Sequence, residues 1–382
     1  MGRLDAQTFG DRLLAADSRA SGFDYMRISL ALLVLVFNAA TILYGQGFAD
    51  QMWRGPLHPF IAIIGPMFFS LSGFLIAGSL NRCKSIVEFI GLRILRLVPA
   101  LLVAVLLIAL LLGPIFTTLH LGMYFTDLRV YEYLLNLFGA LHLELPGVFA
   151  TNSFAGVVNM QLWVLPREVK CYVLVALMSI IGVSRPSRQL MMFFVLLHII
   201  AAAYFLSVNT HIHDAPTSFS GYLLLLCFVD GVAMYVFRRS IASNALLFAG
   251  AATLSIVLLT VPGGTWFASM PVTYVTVYLG LRNPRRSRVL LSGDYSYGVF
   301  LYGFPVQQAV VAAMPSFGHF YLSVAIGLPC TLAFAVASWW LVERPMQGLR
   351  PLIGRIGDDA LAVKEALRLR CIDWVRRALS NE

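Results

Sequence analysis

An arginine and an asparagine lie on the first apolar stretch of the chain, at a spacing that places them on one face of a helix. Arg27 begins this stretch and Asn38 follows eleven residues later. At about 1.5 Å and 100° per residue, Asn38 lies roughly 16 Å deeper than Arg27 and in almost the same direction. Two interpretations fit: a functional polar stripe, or a boundary arginine followed by an asparagine that bonds a neighbouring helix.

Arg93 and Arg96 form a second pair, three residues apart, just before the apolar stretch that starts at residue 97. Guanidinium groups bind phosphate through charge-assisted hydrogen bonds, so two of them on one face could hold a phosphate group. The alternative is the general excess of basic residues on the cytoplasmic side of membrane proteins.

The segment 161–172 combines aromatic, basic and acidic side chains at the start of a later apolar stretch. Pro166 suits the first turn of a helix, and Glu168 would lie near the positive end of that helix. Charges clustered at a membrane boundary are costly unless they face a wet cavity. A functional cluster and an ordinary helix start with Trp163 as an aromatic anchor fit this segment equally well.

The remaining polar residues and the cysteines support weaker predictions of function. The segment 294–305 gives a helix with a polar start and a Gly/Pro interruption, which suits either packing or a cavity wall. We expect Glu343 to form an ion pair with an arginine at the inner face. An isolated pair, His211 and His213, is too little to predict a metal site. The five cysteines are scattered without CxxC spacing, so we predict neither a metal site nor a disulfide framework.

The composition identifies the elements that must position these residues. Only 12% of the residues are charged, 59% are hydrophobic, and the mean hydropathy is +0.79. Apolar stretches of about 20 residues recur along the chain, which excludes a soluble domain and predicts an all-α bundle in contact with membrane lipids. The net charge of +9 resides mainly in short connections and predicts membrane topology rather than nucleic-acid binding.

About ten transmembrane helices are predicted, at 27–46, 60–79, 97–119, 162–183, 190–207, 219–237, 243–261, 266–281, 294–314 and 320–341. With both termini in the cytoplasm, the outer connections hold two basic residues, Arg54 and Arg129. The inner connections then hold twelve: Arg82, Lys84, Arg93, Arg96, Arg185, Arg188, Arg238, Arg239, Arg282, Arg285, Arg286 and Arg288. This bias favours cytoplasmic N- and C-termini.

The chain is thus predicted to comprise a cytoplasmic segment 1–26 without a cleavable signal, a transmembrane domain 27–341 and a cytoplasmic amphipathic tail 342–382. Segments 4–14 and 363–379 suit helices lying on an anionic leaflet. The long connection 120–161 is predicted to fold over the outer mouth of the bundle.

Taken together, these segments resemble the acyltransferase-3 family, bacterial membrane enzymes that O-acylate extracytoplasmic glycans. The resemblance covers residues 22–346 and rests on the joint order of several short motifs. These are Gly22-Phe23-Asp24-Tyr25-Met26-Arg27, Phe68-Phe69-Ser70-Leu71-Ser72-Gly73-Phe74-Leu75-Ile76, Arg93 with Arg96, Leu162-Trp163 through Glu168, Tyr295-Ser296-Tyr297-Gly298 and Val342-Glu343-Arg344-Pro345.

The resemblance implies transfer of an acyl group from cytoplasmic acyl-CoA, which we expect to be acetyl-CoA, to a hydroxyl of a glycan or lipid-linked saccharide. It also implies a multi-pass protein of the bacterial inner membrane with no permanently bound cofactor. The implied roles are acyl-CoA binding by Arg27, Arg93 and Arg96, acceptor binding by Trp163 and Tyr172, orientation of the acceptor or tuning of the base by Glu168, and organisation of the site by Asp24, Tyr297 and Glu343.

One position departs from the family pattern. The family has a histidine, regarded as catalytic, where this chain has Asn38. A neutral imidazole accepts a proton near neutral pH, whereas a carboxamide is neither a usable base nor a nucleophile that could carry the acyl group. Either a histidine has been deliberately replaced, which we favour because the other motifs are intact, or the natural protein has lost or relocated its base. We therefore expect a catalytically impaired acyltransferase.

Two other classes of protein compete with this interpretation. A secondary transporter would also have many helices, buried polar groups and broken segments, although it would favour an internal repeat, and none is evident. A non-catalytic component of a polysaccharide assembly complex would be favoured if asparagine is the native residue at position 38.

Overall fold

The computed structural model describes residues 7–180, 186–207, 221–261, 263–287, 292–314, 319–362 and 365. Over these residues the chain is helical and contains no named strand, which confirms the all-α class. The α-helices are α1 (Phe9–Ala15), α2 (Ser21–Tyr44), α3 (Gln46–Arg54), α4 (His58–Ala62), α5 (Ile64–Arg82), α6 (Ile86–Leu107), α7 (Gly113–Phe116), α8 (Leu121–Thr126), α9 (Leu128–Leu134), α10 (Leu165–Ile180), α11 (Arg188–Ser207), α12 (Gly221–Val236), α13 (Ala245–Thr260), α14 (Ser269–Gly280), α15 (Tyr295–Ala313), α16 (Phe320–Ser338) and α17 (Arg344–Gln347).

Short segments of other helical types join some of these helices. A π-helical segment, Ile108–Leu112, links α6 to α7, and a second, Trp339–Glu343, links α16 to α17. A 3₁₀ turn, Met160–Val164, leads into α10. Such irregular turns inside or before helices often occur at functional sites.

Among the described residues, four helical stretches are long and apolar enough to cross a membrane: Ser21–Tyr44, His58–Arg82, Ile86–Phe116 and Phe320–Ala362. Three shorter apolar helices are Arg188–Tyr204, Gly221–Val236 and Ala245–Thr260. Each of the ten predicted stretches overlaps a helix in the part of the chain that is described. A helical membrane protein is therefore confirmed, whereas the count of ten spans and the cytoplasmic termini stay predictions.

The predicted start of the third span, at residue 97, is wrong. Helix α6 begins at Ile86, after Ser85, whose side chain accepts a hydrogen bond from the backbone of Glu88 and caps the helix. Arg93 and Arg96 therefore lie within the helix and not in a connection before it. Hydropathy alone ends a span at the first charged residue, but a helix can continue through arginines that face a cavity.

The same error affects the first and last predicted spans. Helix α2 begins at Ser21, so Arg27 lies more than one turn inside it. The last predicted span continues past 341 through the π-helical segment Trp339–Glu343 into α17, so Glu343 lies within the helical stretch and does not follow its end. Arg27 and Glu343 thus both lie within helices of the bundle.

Small residues bring α5 and α12 into backbone contact. A Cβ atom added at Gly73 would lie 2.0 Å from the carbonyl oxygen of Phe228, and one added at Gly231 would lie 2.2 Å from that of Ser70. Helices in membranes associate through such close packing because lipid removes the hydrophobic driving force between them. The contact fixes α5, which forms one wall of the cavity described below.

Helix α2 is held by its neighbours at both ends. At its start, the backbone N–H of Gly22 donates to the carbonyl of Arg282 at 2.9 Å, and the Ser21 hydroxyl donates to the carbonyl of Pro284 at 2.6 Å. Further along, Gln307 Nε2 on α15 donates to the carbonyl of Leu35 at 2.8 Å. These bonds fix the rotation of α2 about its axis, and hence the direction in which its polar residues point.

The connection between α7 and the turn before α10 is folded against the bundle. Asn152 Nδ2 donates to the side-chain oxygen of Gln308 at 2.7 Å, and Gln308 Nε2 donates to the carbonyls of Phe154 and Val157, both at 2.8 Å. Because Gln308 is fully buried on α15, these bonds tie the connection to the helical core. The connection 120–161 was predicted to fold over the outer mouth of the bundle, and in the structure its later part is bonded to α15.

The predicted amphipathic segments have different outcomes. Helix α1 covers much of segment 4–14, but Phe9 is fully buried and the N–H of Gly10 donates to the carbonyl of Arg238, so its apolar face packs on the protein and not on lipid. The segment 363–379 and the pair His211 and His213 lie outside the described residues.

Candidate active site

A cavity of about 570 Å³ lies between α2, α5, α6, α10 and α15, with walls also formed by the connection before α10. Most of the residues selected from the sequence line it. They are Arg27, Asn38, Arg93, Arg96, Trp163, Glu168, Tyr172 and Tyr297. Asp24 and Glu343 are not part of its lining. The structure thus brings together side chains from four helices that are far apart in sequence.

The cavity runs along most of the length of the membrane helices. On α2 its lining extends from Arg27 to Thr41, fourteen residues apart, which corresponds to about 21 Å along the axis. The facing helix α5 contributes residues from Ile64 to Ile76. This length is about two thirds of the roughly 30 Å hydrocarbon core of a bilayer.

At one end of the cavity, two arginines from different helices share one carboxylate. Arg27 Nη2 lies 2.9 Å and Arg96 Nη2 lies 3.0 Å from the same oxygen, Oδ2 of Asp294. The other oxygen of Asp294 accepts a hydrogen bond of 2.7 Å from the hydroxyl of Ser296. Removing charges from water is costly, and the shared carboxylate compensates part of that cost. One negative charge for two positive charges leaves this end of the cavity positive.

Arg93 contributes a further positive charge at this end. Its Nη2 donates to the hydroxyl of Ser79 at 3.0 Å, and its guanidinium lies 5.8 Å from the centre of the Phe89 ring. Its Nε is buried and has no hydrogen-bond partner. A buried donor without a partner is rare in a folded protein, and here it belongs to a side chain that lines the cavity.

Asp24 lies beside the arginine end but outside the cavity. Its carboxylate oxygens are 4.0 Å from Arg27 Nη1 and 3.7 Å from Arg286 Nη2. Its side chain is 41% exposed, so these contacts are weak compared with those of Asp294.

Asn38 lies further along the same face of α2 as Arg27, as the spacing predicts, because both side chains line the same cavity. Its Nδ2 is buried and has no hydrogen-bond partner. Over the described ranges, Asn38 therefore does not form the bond to a neighbouring helix that was the alternative interpretation of this residue. The carboxamide presents an unused donor in the wall of the cavity.

The segment at the start of α10 supplies a compact group of polar and aromatic side chains. The Tyr172 hydroxyl donates a short hydrogen bond to Glu168 Oε1, one helical turn away. Arg167 Nη1 donates to the carbonyl of Trp163 at 2.7 Å, and its guanidinium lies 4.5 Å from the centre of the Trp163 ring. All four residues line the cavity, which favours the functional interpretation of this cluster.

Tyr297 and Glu343 were both expected to organise the site, but they differ in position relative to the cavity. Tyr297 lines the cavity and donates a hydrogen bond of 3.1 Å to the carbonyl of Leu97, which joins α15 to α6. Glu343 is 6% exposed and accepts a hydrogen bond of 3.0 Å from Ser338. Among the described residues no arginine lies within ion-pair distance of Glu343, so its expected ion pair is wrong.

Asp294 is the principal functional residue that the motif analysis missed. It directly precedes α15, and the segment that contains it was noted only for its polar start. Its two arginine partners are 267 and 198 residues away in sequence, so no local spacing could reveal the bond. The available signal was an acidic residue at the boundary of a membrane helix, which requires a partner.

The fold and this cavity define a helical membrane protein whose cavity has arginines at one end and a polar group part-way along its depth. A sequence model of the acyltransferase-3 family, described as an acyltransferase domain, matches residues 21–344. The chain therefore belongs to this family of acyltransferases, as the motifs suggested. The match begins at the first residue of α2 and ends just after Glu343.

One curated relative shares most of its length with the chain. It is an O-acetyl transferase of Shigella phage Sf6, 27% identical over 361 residues that cover 85% of this chain and 96% of the relative. No solved structure matches the chain at comparable significance.

Proposed function

We propose that this protein is built as a membrane O-acyltransferase of the bacterial inner membrane. It takes an acyl group, acetyl in the first instance, from cytoplasmic acyl-CoA and transfers it to a hydroxyl of an extracytoplasmic or lipid-linked glycan. The observation that carries the proposal is the deep cavity, which has arginines at one end and position 38 part-way along it. The similarity to an O-acetyl transferase supports the choice of the acetyl group and of a hydroxyl acceptor.

The arginine end is suited to the phosphates of the donor. Arg93 has an unused donor, and Arg27 and Arg96 could exchange part of their contact with Asp294 for phosphate oxygens. From there the flexible arm of acyl-CoA would extend along α2. The distance from Arg27 to Asn38 is about 16 Å along the axis, so the thioester would reach position 38 while the phosphates stay near the membrane surface.

The transfer itself needs a proton acceptor beside the thioester. The acceptor oxygen attacks the carbonyl carbon, the new C–O bond forms as the C–S bond breaks, and the hydroxyl proton moves to the departing CoA sulfur. A histidine at position 38 would carry that proton as a general base, or would hold the acyl group briefly as a nucleophile. Asn38 can do neither, so we propose that the chain binds its substrates but transfers slowly.

The part of the cavity wall at the start of α10 is suited to the glycan. Trp163 offers an aromatic face for a sugar ring, and the bonded pair of Glu168 and Tyr172 offers oxygen atoms for hydrogen bonds. We propose that Glu168 orients the acceptor or tunes the base at position 38.

A transfer assay tests the proposal. The purified full chain in lipid nanodiscs is given acetyl-CoA labelled in the acetyl group and a glycan acceptor, and alkali-labile label in the glycan is counted. Asn38→His should increase transfer by on the order of 100-fold or more, as expected for a positioned general base. Asn38→Gln, the matched carboxamide control, should leave it unchanged. Equal transfer by all three proteins would refute the assignment of position 38.

A second candidate is a non-catalytic component of a polysaccharide assembly complex, and Asn38 itself is the observation that favours it. Such a protein would bind acyl-CoA or glycan yet transfer no acetyl group even with histidine at position 38. The same assay, combined with a measurement of CoA binding, separates the two candidates.

A further inference from the structure

Gln161 has a buried side-chain oxygen that forms no hydrogen bond with any of the described residues. The residue is 5% exposed and lines the cavity, and its Oε1 has no hydrogen-bond partner. Leaving a buried carbonyl oxygen unpaired is costly, so such atoms are uncommon in folded proteins and call for an explanation. Gln161 belongs to none of the motifs that define the family resemblance given above.

The position of Gln161 is fixed from both sides. Its backbone N–H donates to Asn159 Oδ1 at 3.2 Å, which caps the 3₁₀ turn before α10. Asn159 is fully buried, and its Nδ2 donates at 2.9 Å to the carbonyl of Leu301. That carbonyl has no helical partner because the residue four positions later, Pro305, lacks an N–H. The turn that carries Gln161 is therefore anchored to α15, as a preorganised binding group requires.

Gln161 lies beside the turn of α2 that leads to Asn38. A Cβ atom added at Gly303 would be 3.1 Å from Leu35 Cδ1 and 4.0 Å from Gln161 Nε2. The side chains of Gln161 and Leu35 thus both lie next to Gly303, and Leu35 is three residues before Asn38. On a helix, residues three apart are neighbours on the surface.

The two unused amide atoms have opposite polarity. Asn38 Nδ2 can only donate a hydrogen bond, whereas Gln161 Oε1 can only accept one. A hydroxyl group donates one hydrogen bond and accepts others, so hydroxyls satisfy both atoms. A phosphate or carboxylate would satisfy only Asn38 and would be repelled by Gln161 Oε1. The anion-binding arginines lie towards the other end of α2.

We propose that Gln161 Oε1 binds a hydroxyl of the acceptor adjacent to the one that is acylated, and thereby selects the acceptor. The substrate class is an uncharged sugar unit with at least two neighbouring free hydroxyls. This inference rests on the proposed function for the identity of the acceptor. Gln161 is a specificity-determining residue, and it takes no part in the movement of the proton.

The test measures binding of methyl hexopyranosides, and of analogues that each lack one hydroxyl, to the full chain in nanodiscs. With Gln161 in place, loss of one particular hydroxyl should weaken binding about 10-fold or more, because Oε1 is then left unpaired. Gln161→Met, which keeps the shape but removes the oxygen, should weaken binding of the parent sugar by a similar factor. It should also abolish the difference between the parent and that analogue.

Two further variants keep the result interpretable. Gln161→Glu retains an oxygen at the same place and should keep most of the binding, whereas Gln347→Leu, outside the cavity, should change nothing. CoA binding by each variant reports that the protein is folded. The inference is overturned if Gln161→Met binds the parent sugar and the analogue as the unchanged chain does, or if the unchanged chain binds no hexopyranoside.

The outcome is separate from that of the proposed function, because binding is measured on the chain with Asn38. Sugar binding that depends on Gln161, without transfer by Asn38→His, would refute the catalytic proposal alone. Transfer by Asn38→His with unchanged acceptor KM in Gln161→Met would refute the role of Gln161 alone.

Discussion

Arg27 on α2 and Arg96 on α6 donate hydrogen bonds to the same oxygen atom, Oδ2 of Asp294, at 2.9 and 3.0 Å. This shared acceptor joins three helices at one end of the cavity. It also occupies the positive groups that the proposed donor needs. The carboxylate therefore has two opposing effects on the donor, since it positions the arginines and competes with phosphate for them.

Replacement of Asp294 should separate these two effects. In Asp294→Asn the local charge becomes more positive by one unit, so CoA should bind more tightly at low salt, by about 3- to 10-fold on Coulombic grounds. Transfer by the double variant with Asn38→His should nevertheless fall, because the arginines lose their common anchor. Asp358→Asn, which removes an exposed partner of Lys84, is the control for a generic change of charge. Weaker CoA binding in Asp294→Asn would contradict competition between the carboxylate and phosphate.

Arg93 should contribute strongly to donor binding, because its buried Nε has no hydrogen-bond partner in the part of the chain that the structure describes. Arg93→Gln should weaken CoA binding by about 10- to 100-fold, the value of one hydrogen bond between charged groups. Titration of CoA into nanodiscs that contain each protein measures the change in affinity. Repeating the titration at a second salt concentration shows how much of that change is electrostatic.

Arg129→Gln provides the matched control for Arg93, since Arg129 forms an exposed ion pair with Asp127 away from the cavity. Its CoA affinity should equal that of the unchanged chain. Equal affinities for the Arg93 and Arg129 variants would argue that the phosphates bind elsewhere.

The close contact between α5 and α12 predicts a stability effect at one glycine. In Gly231→Ala the new Cβ would meet the Ser70 carbonyl at 2.2 Å, and the backbone on both sides has little freedom to move. The midpoint of thermal unfolding in detergent should fall by several degrees, as overpacking typically costs about 1–3 kcal/mol.

A helical glycine in open surroundings is the control for that substitution. Gly250 has no heavy atom within 4 Å of an added Cβ, so Gly250→Ala should leave the midpoint unchanged or raise it slightly. If the two variants unfold at the same temperature, the backbone contact between α5 and α12 does not stabilise the fold.

Much of the architecture followed from local sequence. Apolar stretches located the helices, and the eleven-residue spacing placed Arg27 and Asn38 in one cavity wall. Helix ends were less accurate, because hydropathy treats Arg93 and Arg96 as boundary residues although they lie inside α6. The periodicity of the sequence indicates which residues share a face of a helix. The ends of a helix depend instead on capping bonds and on the partners of its polar side chains.

The contacts between distant segments could not be obtained in this way. The bonds from Asp294 to two arginines, and the approach of Gln161 to α2 across Gly303, depend on how the helices pack. Glu343 illustrates the opposite error: it was expected to pair with an arginine, but Ser338 is its hydrogen-bond partner and Asp294 occupies the arginines. A single sequence does not indicate which of two acidic residues, Asp294 or Glu343, forms the ion pairs with the arginines.

The central claim is that chemistry at position 38 determines whether this cavity transfers acyl groups. The most direct measurement is the ratio of acetyl-CoA consumption by Asn38→His to that by the unchanged chain, at about pH 7.5 and about pH 5. An imidazole acts as a base only when neutral, so the ratio should be on the order of 100 or more at the higher pH and should fall as the pH drops below the usual histidine pKa of about 6.5. A ratio near one at both pH values would contradict the account.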